Sequence, residues 1–578
     1  MKRILLWAIL AGIAAPAATA APQVTALVGG TIVDGNGGAA IKDGVILLQG
    51  DRILATGPRS TVAIPKGATR VDVSGKWLTP GLIDAHVHFF QSGGLYTRPD
   101  GVDLTKVVPY AKDIERSKAR LDETFARYLA SGVTTVVDAG GPLWNFEVRR
   151  RAMASGRAPR VAVAGPLIAT EPTEPQKHLG VDDRPIISAA NVEEAQRLAR
   201  AQLAYKPELI KIWGIGSGAS GAAKLRDITR AVVAVAHPAG VRVAVHATEL
   251  LNAQAALDGG ADILVHSVDD AALTPKFIGD LKAGNHVYVT TAVVGEGYGD
   301  AFKGRPELLP IERKLGDPVI IQSLYEIPAA FAEKVAGLLP PSSIKQILVN
   351  AKTLVDSGVR VAAGTDAGNI GTLHGPAIHR ELQLLSTAGL TPAQVLTAAT
   401  RDAGFVYASK PDIGLIRPGY RADVLVLDAD PLADVANLQK IATVWSRGKA
   451  IDPATLLPDT PESVVQRQLE RYNAHDLDGF LGTYADEAQI FDLPHTKPSM
   501  SGKATMREVY GKLFAKYPQV HCRVANRIVE GRFVTDQEVC TDGSNKPPMH
   551  AGATYEVVNG AILRVWFTDP QAPFDDNK

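Results

Sequence analysis

The chain has 578 residues, with 61 basic and 61 acidic side chains and therefore no net charge. Hydrophobic residues make up 46% of it and charged residues 21%, a balance typical of a globular protein with a large core. Because there is no basic surplus, the composition argues against a nucleic-acid-binding protein and against attachment to an anionic membrane. It favours a small molecule as the partner, and the length predicts several domains.

The first twenty residues have the pattern of a signal peptide. Lys2 and Arg3 form a basic start, and residues 4–15 form an apolar run that is too short to span a bilayer. Ala18-Thr19-Ala20 supplies the small residues that a signal peptidase reads. An amino-terminal core helix is the alternative interpretation, but it explains neither the basic start nor the small residues. We predict cleavage after Ala20 and a periplasmic or secreted protein without a stable membrane anchor.

Two distant segments have patterns that predict parts of one β structure. Residues 22–79 contain short alternating apolar runs, separated by turns rich in glycine, asparagine and aspartate. Residues 415–457 contain a second set of such runs, including 422–427 and 441–445. Neither set can bury both of its faces alone, so we predict one small β-sandwich split by an insertion.

The insertion, residues 80–414, alternates strand-like with helix-like stretches, which predicts a parallel α/β domain. Eight candidate strands fit a (β/α)8 TIM barrel. They are the strand ending at Asp84-Ala85-His86 and residues 132–138, 160–165, 208–213, 242–246, 261–266, 287–291 and 360–366. The longest gap between strands, about residues 293–350, is a candidate lid.

Residues 460–578 change character again and predict a separate α+β domain after a proline-containing linker. The only two cysteines, Cys522 and Cys540, flank a run that alternates like a hairpin around Gly531. A turn at Gly531 would place the two cysteines opposite each other. A disulfide and a pair of buried free thiols both fit this pattern.

Candidate metal ligands stand at the ends of the predicted barrel strands, where the reactive side chains of such barrels cluster. His86 and His88 are spaced by two and so share one face of a strand, although an H-x-H pair alone also occurs in ordinary cores. His246 and His266 each end a later apolar run, and Asp366 ends the last one. Together these five positions indicate a site for divalent metal.

Lys211 is the sixth candidate. It lies inside the apolar run 209–213, and the two-residue period places it on the face opposite Ile210 and Ile212, toward the barrel interior. A bare ammonium group is costly to bury there. It requires a paired anion, a lowered pKa or covalent modification.

With these motifs the chain resembles the amidohydrolase superfamily, especially its imidazolonepropionase-like and prolidase-like branch. The resemblance covers about residues 22–457 and rests on motifs in a fixed order: PGLIDAHVH at 80–88, IKIWG at 210–214, VHATE at 245–249, LVHS at 264–267, GTDAG at 364–368 followed by His374-Gly375, and IRPGYRADVLVLDADPL at 416–432.

The resemblance implies two divalent metal ions. Nitrogen and oxygen ligands without thiolates suit zinc, and manganese, iron and nickel stay open as alternatives. His86, His88 and Asp366 would hold one ion, and His246 and His266 the other. A carboxylated Lys211 would bridge them. Metal-activated water would attack the substrate carbonyl, and Asp366 would pass the proton of that water to the leaving nitrogen.

Two further positions give weaker indications about substrate binding. His374, just past the eighth strand, is a candidate substrate contact, and a loop histidine satisfied by the backbone is an equally good interpretation. The third strand departs from the branch pattern, because residues 166–174 replace the Gly-Gly-His segment that relatives often have. Substrate preference therefore cannot be carried over from a relative.

Residues 462–569 resemble the SnoaL-like cone fold, mainly in the phrase at 472–488. The resemblance implies a curved sheet around a pocket. Asp492 and His495 are candidates to line it as acid or base, and polar loop residues are the alternative interpretation. Such a domain would serve as a binding or dimerisation module, so we expect a homo-oligomer.

The sequence thus predicts an exported enzyme that hydrolyses a C–N bond in a small amide, dipeptide or cyclic amide. A mononuclear deaminase or lactamase with an unmodified Lys211 is the second interpretation. A ligand-binding protein on a retired barrel is the third. All six ligand positions are occupied, which argues against the last.

Overall fold

The computed structural model describes residues 23–171, 183–303, 306–327, 341–457, 459–544 and 547–568. The predicted signal peptide, including its cleavage site after Ala20, lies outside these ranges. Within them, we find no helix with the length and apolar character needed to cross a membrane.

The first sheet joins both ends of the barrel segment. In it, strand Trp77–Pro80 pairs antiparallel with Val424–Leu427 and parallel with the amino-terminal strand Val24–Ile32. The sheet therefore unites residues on either side of the insertion, as the alternating runs predict. Its eight strands are Val24–Ile32, Ile41–Gln49, Arg52–Pro58, Thr69–Asp72, Trp77–Pro80, Val424–Leu427, Ile441–Ser446 and Lys449–Ile451.

The central domain contains parallel strands in two sheets, and all eight predicted barrel strands are present. A bridge between Val87 and Ala367 connects the first of these strands to the segment after the last. The strands are Leu82–Val87, Val133–Asp138, Arg160–Val163, Leu209–Trp213, Arg242–His246, Ile263–Val265, Val287–Thr290 and Arg360–Ala363, with Leu167–Ala169 and Ile186–Ser188 as additions after the third. The predicted α/β barrel is confirmed.

Helices follow the strands and cover the outside of the barrel. They are Tyr110–Ala119, Leu121–Ala130, Asn145–Ala154, Val192–Leu203, Gly218–Ala236, Leu250–Asp258, Pro275–Ala283, Ala292–Phe302, Pro310–Leu315, Pro318–Ser323, Pro341–Asp356, Ala377–Thr387, Pro392–Thr397 and Ala403–Tyr407. Four of them fall in the candidate lid, whose Leu339 and Pro340 lie outside the described residues. Its role as a lid stays a prediction.

Alternation along the strands decides which side chains reach the site. On Leu209–Trp213, Ile210 and Ile212 pack with the outer helices, whereas Leu209 packs inside the barrel with Ala244 and Val289. Lys211 shares the inward face with Leu209 and is 1% exposed. The strand therefore buries a lysine because its neighbours on both sides must face the helices.

The carboxyl-terminal domain is a six-stranded sheet packed against helices, and a SnoaL-like α+β fold is confirmed. Its strands are Tyr484–Asp492, Met500–Ser501, His521–Glu530, Phe533–Thr541, Met549–Val558 and Ala561–Phe567, and its helices are Pro461–Asn473, Leu477–Leu481 and Gly502–Lys516. Cys522 and Cys540 are cross-strand partners with Cα atoms 4.0 Å apart, and they form a disulfide. Of the two alternatives left open by the sequence, the structure contains the bonded one.

The two domains meet where helix Pro461–Asn473 packs against the short helices Pro310–Leu315 and Pro318–Ser323. Gln322 donates a hydrogen bond to the carbonyl of Val524 across this boundary. Ser323, next in the chain, accepts a hydrogen bond from the backbone of Leu95, in the loop that follows His88. The carboxyl-terminal domain is thus one layer away from the loops around the candidate site.

Candidate active site

Three predicted ligands converge at the centre of the barrel. His86 Nε2 and His88 Nε2 lie 3.2 Å apart, and Asp366 Oδ1 lies 3.4 Å from the first and 3.1 Å from the second. The donor atoms of all three residues fall within 4.8 Å of one another, and all three side chains are buried. This is the arrangement that a single divalent ion requires of its protein ligands.

The hydrogen bonds around these residues leave the converging atoms free. His88 Nδ1 donates to the carbonyl of Gly140 at 2.6 Å, which fixes the proton on Nδ1 and leaves a lone pair on Nε2. Asp366 Oδ1 accepts no hydrogen bond among the described residues despite its burial. Two nitrogen lone pairs and a buried carboxylate oxygen without a partner fit a metal ion well.

A residue that the motif analysis passed over holds Asp366 in place. Asp84 accepts hydrogen bonds from the Thr365 backbone at 3.0 Å and the Thr365 hydroxyl at 2.6 Å, and it lies in the same motif as the two histidines. The backbone of Asp366 also donates to the carbonyl of His86 at 2.7 Å. The first and last strands are therefore tied together directly beneath the three ligands. In the sequence, the position of Asp84 two residues before His86 was the feature that could have revealed it.

His246 and His266 adjoin this group through ring contacts. Their ring centroids lie 4.3 Å apart, and that of His266 lies 4.7 Å from that of His86. Strict alternation would turn His266 outward, because Val265 before it packs inside the barrel. His266 instead has a φ of 69°, which turns its ring back toward the centre, and its Nδ1 lies 2.9 Å from the Thr291 hydroxyl.

Lys211 belongs to the same buried group through its charge. Its Nζ forms no hydrogen bond or ion pair with any residue that the structure describes. Burial lowers the pKa of Lys211 to about 7, and the negative charge of Asp366 only partly opposes this effect. A large part of the amine is therefore uncharged near neutral pH, which is the form that can accept a carboxyl group.

The ionisation of the other residues suits metal binding. Burial, reinforced by the positive charge of Lys211, lowers the pKa of His86 to about 3 and that of His246 well below its usual range. Burial alone would raise the pKa of Asp366, but the imidazoles of His86 and His88 beside its Oδ1 hold it well below its usual range. The site thus offers neutral imidazoles and an ionised carboxylate, the forms that metal ions bind.

His374 lies in a different environment. Its Nδ1 is 2.8 Å from the Tyr128 hydroxyl, its Nε2 is 2.8 Å from the carbonyl of Gln91, and its ring stacks on Phe89 with an interplanar angle of 9°. Both ring nitrogens are therefore already satisfied. Its contact with substrate stays a prediction.

A second polar group borders Asp366 and was not anticipated. Arg98 donates to Asn369 Oδ1 at 2.5 Å and makes a two-bond contact with Asp100, while the hydroxyl of Tyr298 donates to the same oxygen of Asn369 at 2.8 Å. Burial lowers the pKa of Arg98, but Asp100 and, more weakly, Asp366 raise it above its usual range. A guanidinium and a phenol thus flank the carboxylate, and nothing in the motif spacing predicts them.

In the carboxyl-terminal domain, Asp492 and His495 both line a cavity of about 370 Å³. Glu538 reaches the same cavity, where its Oε1 accepts a hydrogen bond from the Tyr555 hydroxyl at 2.6 Å. Burial raises the pKa of Glu538 to about 7. The cavity is the pocket that the cone-fold resemblance implies.

Comparison with known proteins agrees with the barrel fold. Residues 77–451 match the family model described as the amidohydrolase family, and residues 465–565 match the SnoaL-like domain. The chain is 25% identical over 434 residues to an imidazolonepropionase of Ralstonia nicotianae, a match that covers 70% of this chain and 90% of the relative. It is 26% identical over 471 residues to the ochratoxinase of Aspergillus niger, which covers 75% and 88% of the two chains.

Among solved structures, a protein of Bifidobacterium longum described as a prolidase superposes with a TM-score of 0.56 at 25% identity, covering 75% of this chain and 95% of that one. The amidohydrolase match spans more than half of the chain and includes all six predicted metal-ligand positions. The chain therefore belongs to the amidohydrolase family, carries a SnoaL-like domain at its carboxyl end, and is a hydrolase that acts on carbon–nitrogen bonds.

Proposed function

We propose that this chain is an exported, metal-dependent amidohydrolase that cleaves the C–N bond of a small amide, dipeptide or cyclic amide. The observation that carries the proposal is the convergence of His86 Nε2, His88 Nε2 and the unpartnered Asp366 Oδ1. Export is supported by the first twenty residues of the sequence, with cleavage after Ala20.

In the proposed centre, His86, His88 and Asp366 would hold one ion, and His246 and His266 would hold a second. Carboxylation of the Lys211 amine would make it an anionic ligand for both ions and would remove the cost of burying an ammonium group. Zinc is the proposed metal, because the ligands are nitrogen and oxygen atoms in a compact set. When bound, such ions lower the pKa of a water ligand to about 7 and polarise the substrate carbonyl.

The protein's own residues then transfer the proton of the attacking water. Asp366 is ionised, so its carboxylate can accept a proton from the attacking water and deliver it to the leaving nitrogen. Asp84 and Thr365 keep that carboxylate in register with the two histidines. Burial of the whole group keeps bulk water away from the reacting atoms.

Arg98 and Tyr298 support a substrate that carries its own negative charge near the scissile bond. Both side chains join Asn369, three residues after Asp366, and so border the reacting carboxylate on one side. Small amides built on an amino acid, such as dipeptides and N-acyl amino acids, carry a carboxylate next to the scissile amide. We place this class first among the substrates.

A mononuclear centre with an unmodified Lys211 is the second candidate, because among the six predicted ligands, all within the described ranges, only His86, His88 and Asp366 bring their donor atoms within 4.8 Å of one another. The two candidates differ in metal content and in the importance of the lysine. A bridged pair of ions needs Lys211, whereas a single ion does not.

The decisive experiment is metal analysis and activity of the wild type and Lys211→Ala, with Lys224→Ala as the matched control. Lys224 is also on the barrel but pairs with Glu171 at 3.0 Å on the surface. The substrates are N-acyl amino acids, dipeptides and lactams. About two ions per chain, lost together with activity in Lys211→Ala alone, support the bridged hydrolase. One ion per chain and an active Lys211→Ala variant select the mononuclear centre, and no turnover of any substrate by wild type overturns the proposed class.

We further propose that the carboxyl-terminal domain is a binding or dimerisation module and that the protein is a homo-oligomer. The outer face of its sheet presents Phe491 stacked on Trp566, with Phe533 beside them, 37% exposed. A second copy of this chain would cover these rings. Light scattering of the purified protein tests this, and the mass of a single chain contradicts it.

A further inference from the structure

A cleft of about 850 Å³ lies between the two domains, outside the metal-ligand group. On the barrel side it is lined by Arg313 and Tyr325, and on the other side by Glu470, Asn473 and Arg523. Polar and charged side chains make up much of this lining. The cleft is large enough for a small molecule, and its side chains indicate the chemistry of a ligand that would fit there.

Glu470 is the buried acid of the cleft. Its side chain belongs to helix Pro461–Asn473 and is 7% exposed. Gln466 donates a hydrogen bond to Glu470 Oε1 at 3.2 Å, and no described residue donates to the second oxygen. Burial raises the pKa of Glu470 to about 7, with that hydrogen bond and the charge of Arg313 acting in the opposite sense. An ammonium group at the second oxygen would supply the missing partner.

Two arginines of the cleft, Arg313 and Arg523, form no salt bridge with any described residue. Arg313 uses its Nε to donate to the carbonyl of Leu308 at 3.0 Å, and Arg523 is exposed to the cleft. Arg380, which also lines the cleft, differs because it pairs with Glu312 and Glu296. The cleft thus holds two arginines that can bind a carboxylate and one that cannot.

The acid and one arginine line the same cleft although they come from different domains. Tyr325 lines it as well, and burial and the charge of Glu470 raise the pKa of Tyr325 to about 12, whereas the charge of Arg313 opposes this. A molecule with a positive and a negative group a few ångströms apart would satisfy both charges at once.

We propose that this interdomain cleft binds a free α-amino acid, with its ammonium group on Glu470 and its carboxylate on Arg313 and Arg523. The site is separate from the metal-ligand group, and the inference does not depend on the proposed function. Because the ligand contacts both domains, its binding favours the docked arrangement in which Gln322 bonds to Val524.

The test is calorimetric titration of the full chain with L-leucine, and with two analogues that each lack one charge. Isocaproate is leucine without its amine, and isoamylamine is leucine without its carboxylate. Neither contains an amide bond, so the enzyme cannot hydrolyse them. We expect one leucine per chain and at least about tenfold weaker binding of each analogue, since a charged hydrogen bond contributes about 1.5–3 kcal/mol.

Variants assign the site. Glu470→Gln and Arg313→Gln are each expected to weaken leucine binding at least about tenfold while leaving metal content unchanged, and Asp366→Asn is expected to keep the binding. Lys512→Gln is the control, because Lys512 pairs with Glu508 on an exposed helix. Thermal unfolding shows that each variant is folded. No heat with leucine, equal affinity for the analogues, or binding that survives Glu470→Gln and disappears in Asp366→Asn would overturn the proposal.

Discussion

Two buried carboxyl groups, Asp366 in the barrel and Glu538 in the carboxyl-terminal domain, have opposite ionisation. The side chains are 5% and 7% exposed, so desolvation acts on both. The imidazoles of His86 and His88 surround Asp366 and hold its pKa well below the usual range, whereas a single tyrosine meets Glu538 and its pKa rises to about 7. Burial alone therefore does not make a metal ligand; the neighbours decide whether the group carries charge or a proton.

The largest expected effect comes from removing the charge of the barrel carboxylate. Asp366→Asn should lower kcat/KM about 10³-fold, because the asparagine amide cannot take a proton from water. Kinetics on the best substrate of the panel measure this, together with metal content. Glu538→Gln is the control and should retain full activity. Near-normal activity of Asp366→Asn would remove the assigned role of this carboxylate.

A smaller effect is expected from the residue that positions Asp366. Asp84→Asn keeps the size of the side chain but weakens its two contacts with Thr365, so metal affinity should fall about 10–100-fold. Competition with a chelator of known affinity measures the change. If affinity is unchanged while activity falls, Asp84 acts on the proton-transfer geometry and not on the metal.

The smallest expected effect is on the pH dependence of stability, and it concerns Glu538. The pKa of folded Glu538 is about 7, above its unfolded value near 4.5, so its contribution to stability is complete below pH 4.5 and is lost as pH rises through 7. Between pH 5 and 8, the free energy of unfolding of the carboxyl-terminal domain should therefore fall less in Glu538→Gln than in wild type. The expected difference is about 1–3 kcal/mol. Denaturant unfolding of the full chain at several pH values measures the slope. Parallel slopes for wild type and variant would show that Glu538 is ionised throughout.

The sequence predicted the barrel well because period-two alternation is local. The inward position of Lys211 follows from its neighbours Ile210 and Ile212, and the structure places it there. The inward turn of His266 does not follow in this way, since it depends on a positive φ that the run of residues before it does not reveal. Its place at the end of a strand nevertheless brought it to the site.

What the sequence could not predict depends on contacts between distant residues. The environment of His374 is set by Tyr128, 246 residues away, and that of Asp366 by Arg98 through Asn369. The two-residue alternation of side chains along a strand gives no information about such pairs. The cysteines were an intermediate case, because the hairpin around Gly531 predicted their pairing but not whether they would be bonded.

The split sheet has a consequence for the order in which the chain is made. Lys76 pairs with Asp428 across 352 residues, next to the antiparallel pairing of Trp77–Pro80 with Val424–Leu427. During synthesis the amino-terminal strands must wait for the whole barrel before that edge is covered, and contacts this distant in sequence form slowly. A nascent chain therefore cannot finish its first sheet until residues 424–451 have been made, and a chain that stays incompletely folded for so long would suit the threading that the proposed export requires.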